Sequence, residues 1–240
     1  MNPFTTLPKF WHVYVGASRY NKNIPEFEKM RAEGRFEDEW KLINKGQREF
    51  IEWVSLRLGL TYEVIGEENI PDNYPFMVYC NHQGFADIFA TLWLFKDHCQ
   101  IGYVSKDEWR KIKTLNDAIL YTRSIFLVRG SGREAVKAIN EAKEVLDLGF
   151  NLVIFPEGTR SQRHEMGEFK PGAFKFAEKA KVPILPVTLD GSYHLFEEKH
   201  TYQPTHIKIT VHPLVHIEQM SKADQKKAAA EIEETVRSAL

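Results

Sequence analysis

The chain has 240 residues, of which 43% are hydrophobic, and its formal net charge is −1. This composition indicates one large globular domain with a substantial core, and it argues against wholesale disorder. The near-zero charge gives no general attraction to nucleic acid, so no nucleic-acid partner is expected. Two cysteines without metal-ligand spacing suggest buried free thiols rather than a disulfide framework.

Residues 1–68 form an N-terminal segment of their own character. The first twenty residues are dense in aromatic side chains, and a helix is predicted over residues 37–58, with Gly59 as its stop. Apolar residues recur at helical spacing along one side of it: Trp40, Ile43, Phe50, Ile51, Val54 and Leu58. Such a stripe either packs on the protein's own sheet or lies in a lipid interface. No secretory signal is expected, and no run of about 18 apolar residues predicts a transmembrane helix.

Strands and helices alternate through residues 69–240, which we take as the second domain. Strands are predicted at residues 76–80, 100–105, 124–128, 152–155, 184–189 and 207–212. Helices are predicted at residues 86–95, 107–120, 132–148, 172–180 and 222–239. This rhythm predicts an α/β fold with a largely parallel central sheet flanked by helices, and functional groups at the carboxyl ends of the strands.

The run NHQGFAD at residues 81–87 follows the first of these strands. His82 stands at the strand exit and Asp87 follows five residues later, in the predicted helix. A carboxylate that accepts a hydrogen bond from one ring nitrogen leaves the other nitrogen as a base. Gly84 would let the backbone turn tightly enough for that approach. The pair therefore predicts a general base and its orienting partner.

The run FPEGTRS at residues 155–161 follows another predicted strand and brings an arginine and two hydroxyls to the same sheet edge. Residues 101–133 also carry seven basic and three acidic side chains, a local charge of +4. A base and anion-binding groups at one edge indicate group transfer on a phosphorylated substrate. Since no Gly-x-Ser-x-Gly elbow is present, direct attack of a substrate hydroxyl on a thioester fits better than a covalent acyl-enzyme.

Four ordered blocks, at residues 81–87, 125–129, 155–161 and 182–187, resemble the glycerolipid acyltransferase family, in particular its bacterial 1-acylglycerol-3-phosphate acyltransferases. The resemblance implies that His82 is the general base and Asp87 its partner. It places a second set of residues at the glycerol-phosphate end of the acceptor: Lys106, Arg129, Glu157, Gly158, Thr159 and Arg160. For Glu157 two roles stay open, binding a glycerol hydroxyl or bracing an arginine. Arg123 stands where this family often has glycine.

The resemblance implies transfer of a fatty acyl group to the sn-2 hydroxyl of 1-acylglycerol 3-phosphate (lysophosphatidic acid), giving phosphatidic acid. The donor would be acyl-coenzyme A (acyl-CoA) or acyl-acyl carrier protein (acyl-ACP), with no metal or organic cofactor. We expect a peripheral enzyme on the cytoplasmic face of the cell membrane that touches surface lipids through residues 1–68. The alternatives are glycerol 3-phosphate or another lysophospholipid as acceptor, a non-catalytic relative, and a metallohydrolase with His82 and Asp87 as ligands.

Overall fold

The computed structural model describes residues 3–72, 75–128 and 130–240. Its α-helices are α1 (Pro3–Tyr20), α2 (Ile24–Ala32), α3 (Phe36–Leu58), α4 (Ala86–Phe95), α5 (Lys113–Leu120), α6 (Gly132–Asp147), α7 (Pro171–Ala180) and α8 (Lys222–Arg237). Its strands are β1 (Leu60–Ile65), β2 (Met77–Cys80), β3 (Ile101–Lys106), β4 (Ile125–Leu127), β5 (Asn151–Ile154), β6 (Ile184–Asp190) and β7 (Thr205–Val211). Among the described residues, no helix combines the length and apolar character needed to cross a membrane.

The seven strands form one sheet in the order β1-β7-β6-β2-β5-β3-β4. Every neighbouring pair is parallel except β6 and β7. The predicted α/β class with a largely parallel sheet is therefore confirmed. Because β2, β5, β3 and β4 run in the same direction, the loops that follow them meet at one edge of the sheet.

Strand β1 was not predicted from the sequence. Its side chains alternate between exposed and partly or fully buried positions, as they do on a sheet edge with one solvated face, and the chain enters it directly after Gly59. It pairs with β7 from Leu60 to Ile65. The domain division at residue 68 stays a prediction, with β1 joining the N-terminal segment to the sheet.

The predicted helix over residues 107–120 is wrong in its first half. Residues Asp107–Lys111 form a short 3₁₀-helix, and α5 begins at Lys113 after a break at Ile112, whose φ of −109° and ψ of 99° are extended. The basic and acidic side chains in this stretch carry no apolar period that would fasten a full helical turn to the core, so local turn geometry decides its shape.

The sheet has a separate apolar core on each face. In β2, Val78 packs with the cluster beneath α3 and α4, whereas Tyr79 packs with the cluster beneath α6, α7 and α8. The apolar stripe of α3 belongs to the first cluster, where Ile51, Val54 and Leu58 are buried. Of the two fates that the sequence left open for this stripe, the structure shows packing on the protein's own core.

Helix α1 packs closely against α3 because two glycines lie at the contact. A β-carbon at Gly16 would come within 2.8 Å of the Phe50 ring, and one at Gly46 within 2.7 Å of the Tyr20 ring. These distances are below any ordinary contact, so larger residues would push the two helices apart. Helix α1 is therefore held against the body of the protein.

Arg123, in the turn before β4, adopts the left-handed conformation with a φ of 61°. This conformation costs an L-residue energy and is natural for glycine, the residue that often stands here in the resembling family. The Arg123 guanidinium binds the fully buried carboxylate of Glu39 on α3 through two hydrogen bonds, one of them a 2.9 Å contact from Nε to Oε1. Arg31 donates to the same carboxylate at 2.6 Å. The ion pair thus ties α3 to the turn before β4 and offsets the backbone strain.

We expect Arg123→Gly to lower the free energy of unfolding by about 2 kcal/mol, measured by urea denaturation. The loss of one partner of a buried carboxylate outweighs the relieved strain, while Arg31 keeps part of the compensation. Lys181→Gly is the matched control, since exposed Lys181 also has a positive φ, 57°, and glycine there should stabilise the end of α7. An Arg123→Gly protein as stable as the wild type would contradict the role of the ion pair.

Candidate active site

His82 and Asp87 form a hydrogen-bonded pair at the carboxyl end of β2. The Nδ1 atom of His82 lies 2.6 Å from Oδ2 of Asp87, whose side chain is fully buried. The same oxygen accepts the Gly84 N–H at 2.8 Å, and Oδ1 accepts the hydroxyl of Ser192. An ionised carboxylate only accepts hydrogen bonds, so Nδ1 carries the ring proton. In the neutral ring the other nitrogen, Nε2, carries no proton and can accept one in the cavity that His82 lines.

The two sequence motifs are joined directly by hydrogen bonds. The Ser161 N–H donates to the His82 carbonyl at 2.7 Å, and the Gln162 N–H donates to the Gln83 carbonyl at 3.0 Å. The ring of Phe155 stacks on the imidazole with centroids 4.0 Å apart and planes at 18°. The imidazole is therefore fixed from one side by a carboxylate and from another by an aromatic ring.

Glu157 fastens the His82 loop through its backbone. One carboxylate oxygen accepts the His82 N–H at 2.6 Å and the other accepts the Gly167 N–H at 2.7 Å. The side chain is buried, and burial raises its pKa above the usual range despite the two amides that oppose this effect. Both oxygens are thus already occupied by backbone groups, an arrangement that neither of the two roles considered from the sequence had included.

Arg160 lies in the cavity wall and is held by Glu197. Its Nη1 donates to Oε1 of Glu197 at 3.0 Å, and its guanidinium lies over the Phe85 ring at 3.8 Å. The same Glu197 oxygen accepts the Phe85 N–H at 2.9 Å. Glu197 is buried, which raises the pKa of its carboxyl group. A β-carbon at Gly84 would lie 2.7 Å from its second oxygen, so a larger residue there would displace the Glu197 carboxylate.

The remaining predicted site residues fall in different places. Lys106, at the end of β3, and Gly158, with a φ of 69°, line the same cavity as His82 and Arg160. Thr159 is exposed. Arg129 lies outside the described residues, so its predicted role stays a prediction.

Ser192 and Glu197 were missed by sequence reasoning. Both follow β6, in and just after a short 3₁₀-helix that spans Ser192–Leu195, and they contact the His82 loop from more than a hundred residues away. No spacing in the sequence marks them, because neither belongs to the two motifs. In the described ranges, no three His, Cys, Asp or Glu side chains are grouped as a metal ion would require.

Two cavities meet beside the His82–Asp87 pair. The site cavity, about 760 Å³, contains His82, Lys106 and Arg160 in its wall. A second cavity of about 550 Å³ lies among α1, α3, α4 and α5 and is lined almost wholly by apolar side chains. The two share Phe85, Ile88 and Tyr103 as a common wall. A base, two cations and an apolar chamber therefore lie side by side at the carboxyl edge of the sheet.

Fold and site together define the class of α/β proteins that carry a His-x-x-x-x-Asp pair at the carboxyl edge of a mostly parallel sheet. A family model described as "Acyltransferase" matches residues 61–190, and the chain belongs to this acyltransferase family. The resemblance stated from the four blocks is thereby confirmed.

The curated relatives carry consistent names. A 1-acyl-sn-glycerol-3-phosphate acyltransferase of Saccharomyces cerevisiae is 31% identical over 65% of this chain and 54% of its own length. The Borreliella burgdorferi protein of the same name is 29% identical over 74% of this chain and 71% of its own. The chain spans about half the length of several curated relatives, between 41% and 54%.

A solved structure matches along the whole chain. The crystal structure of the 1-acyl-sn-glycerophosphate (LPA) acyltransferase PlsC from Thermotoga maritima superposes with a TM-score of 0.77 at 29% identity. The match covers 100% of this chain and 96% of that one. The similarity therefore includes the N-terminal helices as well as the sheet.

Proposed function

We propose that this protein transfers a fatty acyl group from acyl-CoA or acyl-ACP to the sn-2 hydroxyl of 1-acylglycerol 3-phosphate, giving phosphatidic acid. The observation that carries the proposal is the His82–Asp87 pair in one cavity with Arg160 and Lys106. The names of the curated relatives and of the matched structure support the same acceptor.

In the proposed reaction, Nε2 of His82 takes the proton of the acceptor hydroxyl while its oxygen attacks the thioester carbonyl carbon. Collapse of the tetrahedral intermediate breaks the carbon–sulfur bond, and the imidazolium returns the proton to the leaving thiolate. Asp87 stabilises the imidazolium and keeps the ring oriented, as the aspartate of a Ser-His-Asp triad does. Charge and atoms balance without a metal or organic cofactor.

The acceptor's phosphate would bind at Arg160 and Lys106, and we assign Arg129 to the same group from the motif resemblance. An arginine grips phosphate with two parallel hydrogen bonds and a lysine acts as a point charge. Glu197 would hold Arg160 at the cavity wall and so act as a positioning residue, since the ion pair and the Phe85 ring restrict the guanidinium to one place. Gly158 leaves room for the glycerol end.

The apolar cavity would receive a fatty acyl chain. Its lining from α1, α3 and α4 is almost free of polar surface, so burying a hydrocarbon chain there is favourable. The donor and lysophosphatidic acid both carry a chain of this kind.

A face next to the apolar cavity is suited to a lipid surface. Trp11, Tyr14, Trp109 and Ile112 are exposed, with Trp11 at 60%, and we call these four residues the aromatic face. Tyr14 and Trp109 line the apolar cavity, and Trp11 stacks on Tyr14 with ring centroids 5.3 Å apart. Basic side chains at positions 110, 111 and 113 flank Ile112. Exposed aromatic residues beside basic ones bind anionic interfaces, so we propose peripheral contact with the cytoplasmic face of the membrane here.

We expect His82→Ala to reduce kcat for acyl transfer to lysophosphatidic acid by at least about 10²-fold, because the general base is lost. The acceptor KM should change little, and the variant should stay folded because Gly84 and Ser192 still donate to Asp87. His206→Ala, an exposed histidine on β7, is the control and should keep full activity. A His82→Ala enzyme with near-normal kcat would refute the base role.

Arg160→Ala should raise the KM for lysophosphatidic acid about tenfold or more, because a charge-assisted contact to phosphate is removed. The KM for acyl donor should stay the same. Arg163→Ala removes an equal charge from a side chain that is 73% exposed, and it should behave as wild type. An unchanged acceptor KM in Arg160→Ala would count against phosphate binding at this residue.

Replacing both Trp11 and Ile112, which line neither cavity, by alanine should reduce the fraction of protein that sediments with phosphatidylglycerol vesicles, since two exposed interfacial anchors are lost. Activity on a short-chain soluble acceptor should persist, which separates membrane binding from catalysis. Leu148→Ala, an exposed apolar residue just after α6, serves as the control. Equal sedimentation of the double variant and the wild type would reject the aromatic face as the contact.

A further inference from the structure

The site cavity extends beyond the base and the cations into a groove between α6 and α7. Its wall there is formed by Val136 and Ile139 of α6, by Gly172, Lys175 and Phe176 of α7, and by Lys170 just before α7. We call these six residues the α6–α7 groove. None of them belongs to the predicted acceptor site.

The groove lies on the other face of the sheet from the apolar cavity. Helices α6 and α7 pack with α8 over one core, whereas α3 and α4 pack over the opposite one. The apolar cavity lies on the side of α1, α4 and α5, with Trp109 of the aromatic face at the place where the two cavities meet. A molecule in the α6–α7 groove would therefore reach His82 from the side away from α1 and its exposed Trp11.

The groove combines an apolar floor with a basic rim. Val136 is 58% exposed although it is hydrophobic, and Phe176 supplies an aromatic wall. Lys170 and Lys175 are both exposed at the rim. The Lys170 backbone N–H donates to the Pro156 carbonyl at 3.0 Å, so the rim is fixed to the loop that carries Arg160. This combination fits a slender, partly apolar arm that ends in an anion.

We propose that the α6–α7 groove binds the 4′-phosphopantetheine arm of the acyl donor, with Lys170 and Lys175 on its phosphate. The inference rests on the proposed function, because a thioester donor must bring its sulfur to His82 while the acceptor occupies Arg160. Coenzyme A and acyl carrier protein share this arm and this phosphate, so the groove serves either carrier. The carrier then stays on the side away from the lipid surface while the acyl chain crosses to the apolar cavity.

Gly172 leaves the groove open. A β-carbon built there meets no other atom within 4 Å, and this glycine is not among those with a positive φ. A larger residue at position 172 would therefore enter the groove without straining the backbone, and it would favour helix α7 over glycine. This makes the groove accessible to a steric test that does not unfold the protein.

The first test is the KM of three donors with lysophosphatidic acid as acceptor: acyl-CoA, acyl-ACP and acyl-pantetheine, which lacks the phosphate. Replacing Lys170 and Lys175 by alanine should raise the KM for acyl-CoA and acyl-ACP about tenfold or more, as expected for lost charge-assisted contacts. The KM for acyl-pantetheine and for the acceptor should not change. Lys179→Ala, on the same helix but outside the groove, is the matched control.

The second test is Gly172→Leu, which should raise the KM for all three donors and leave the acceptor KM and the melting temperature unchanged. Unchanged donor KM values in both variants, or an equal rise for acyl-pantetheine in the double-lysine variant, would overturn the assignment. The activity of the wild type separates a failure of the proposed function from a failure of the groove assignment. A wild type that transfers no acyl group from any donor defeats the proposed function, whereas an active wild type with insensitive variants defeats the groove alone. The carrier with the higher wild-type kcat/KM identifies the donor.

Discussion

Three buried carboxylates hold the loop that carries the His82 imidazole, and the rest of the site depends on them. Glu157 accepts the N–H of His82, Asp87 that of Gly84, and Glu197 that of Phe85. Burying a carboxylate costs free energy unless it is hydrogen-bonded or paired with a cation. The loop N–H groups therefore stabilise these carboxylates, and the carboxylates in turn hold the loop in place. The raised pKa values of Glu157 and Glu197 reflect that desolvation. The position of the imidazole is thus fixed by the hydrogen bonds that these buried carboxylates accept from the loop, as well as by its own contact with Asp87.

The same arrangement fixes a cation beside the His82 loop. Oε1 of Glu197 accepts from both the Arg160 guanidinium and the Phe85 N–H, so the positive charge is joined to the loop through one oxygen. Glu197 neutralises part of that charge and directs the guanidinium onto the Phe85 ring. The carboxylate and the aromatic ring together restrict Arg160 to the cavity wall.

The parts of the site that could be predicted from the sequence are those encoded by local order. Parallel strands bring their carboxyl ends together, so His82 and Arg160 could be assigned to one edge from the strand pattern alone. Ser192 and Glu197 could not be found, because they follow β6 more than a hundred residues after His82 and belong to neither motif. The apolar stripe of α3 was ambiguous, since a helical period looks the same against a sheet as against lipid. Strand β1 and the break at Ile112 escaped notice because short edge strands and single turns leave weak periodic signals.

The pairing of β1 with β7 places a constraint on how this chain is made. These neighbours are separated by about 145 residues, as the contact between Thr61 and His206 shows. During synthesis β1 therefore leaves the ribosome about 145 residues before its partner in the described sheet. Contacts between such distant segments form slowly, because a long loop must close first. Until β7 arrives, the backbone groups of β1 that β7 will pair with stay open, and an unpaired strand edge of this kind can pair with another chain.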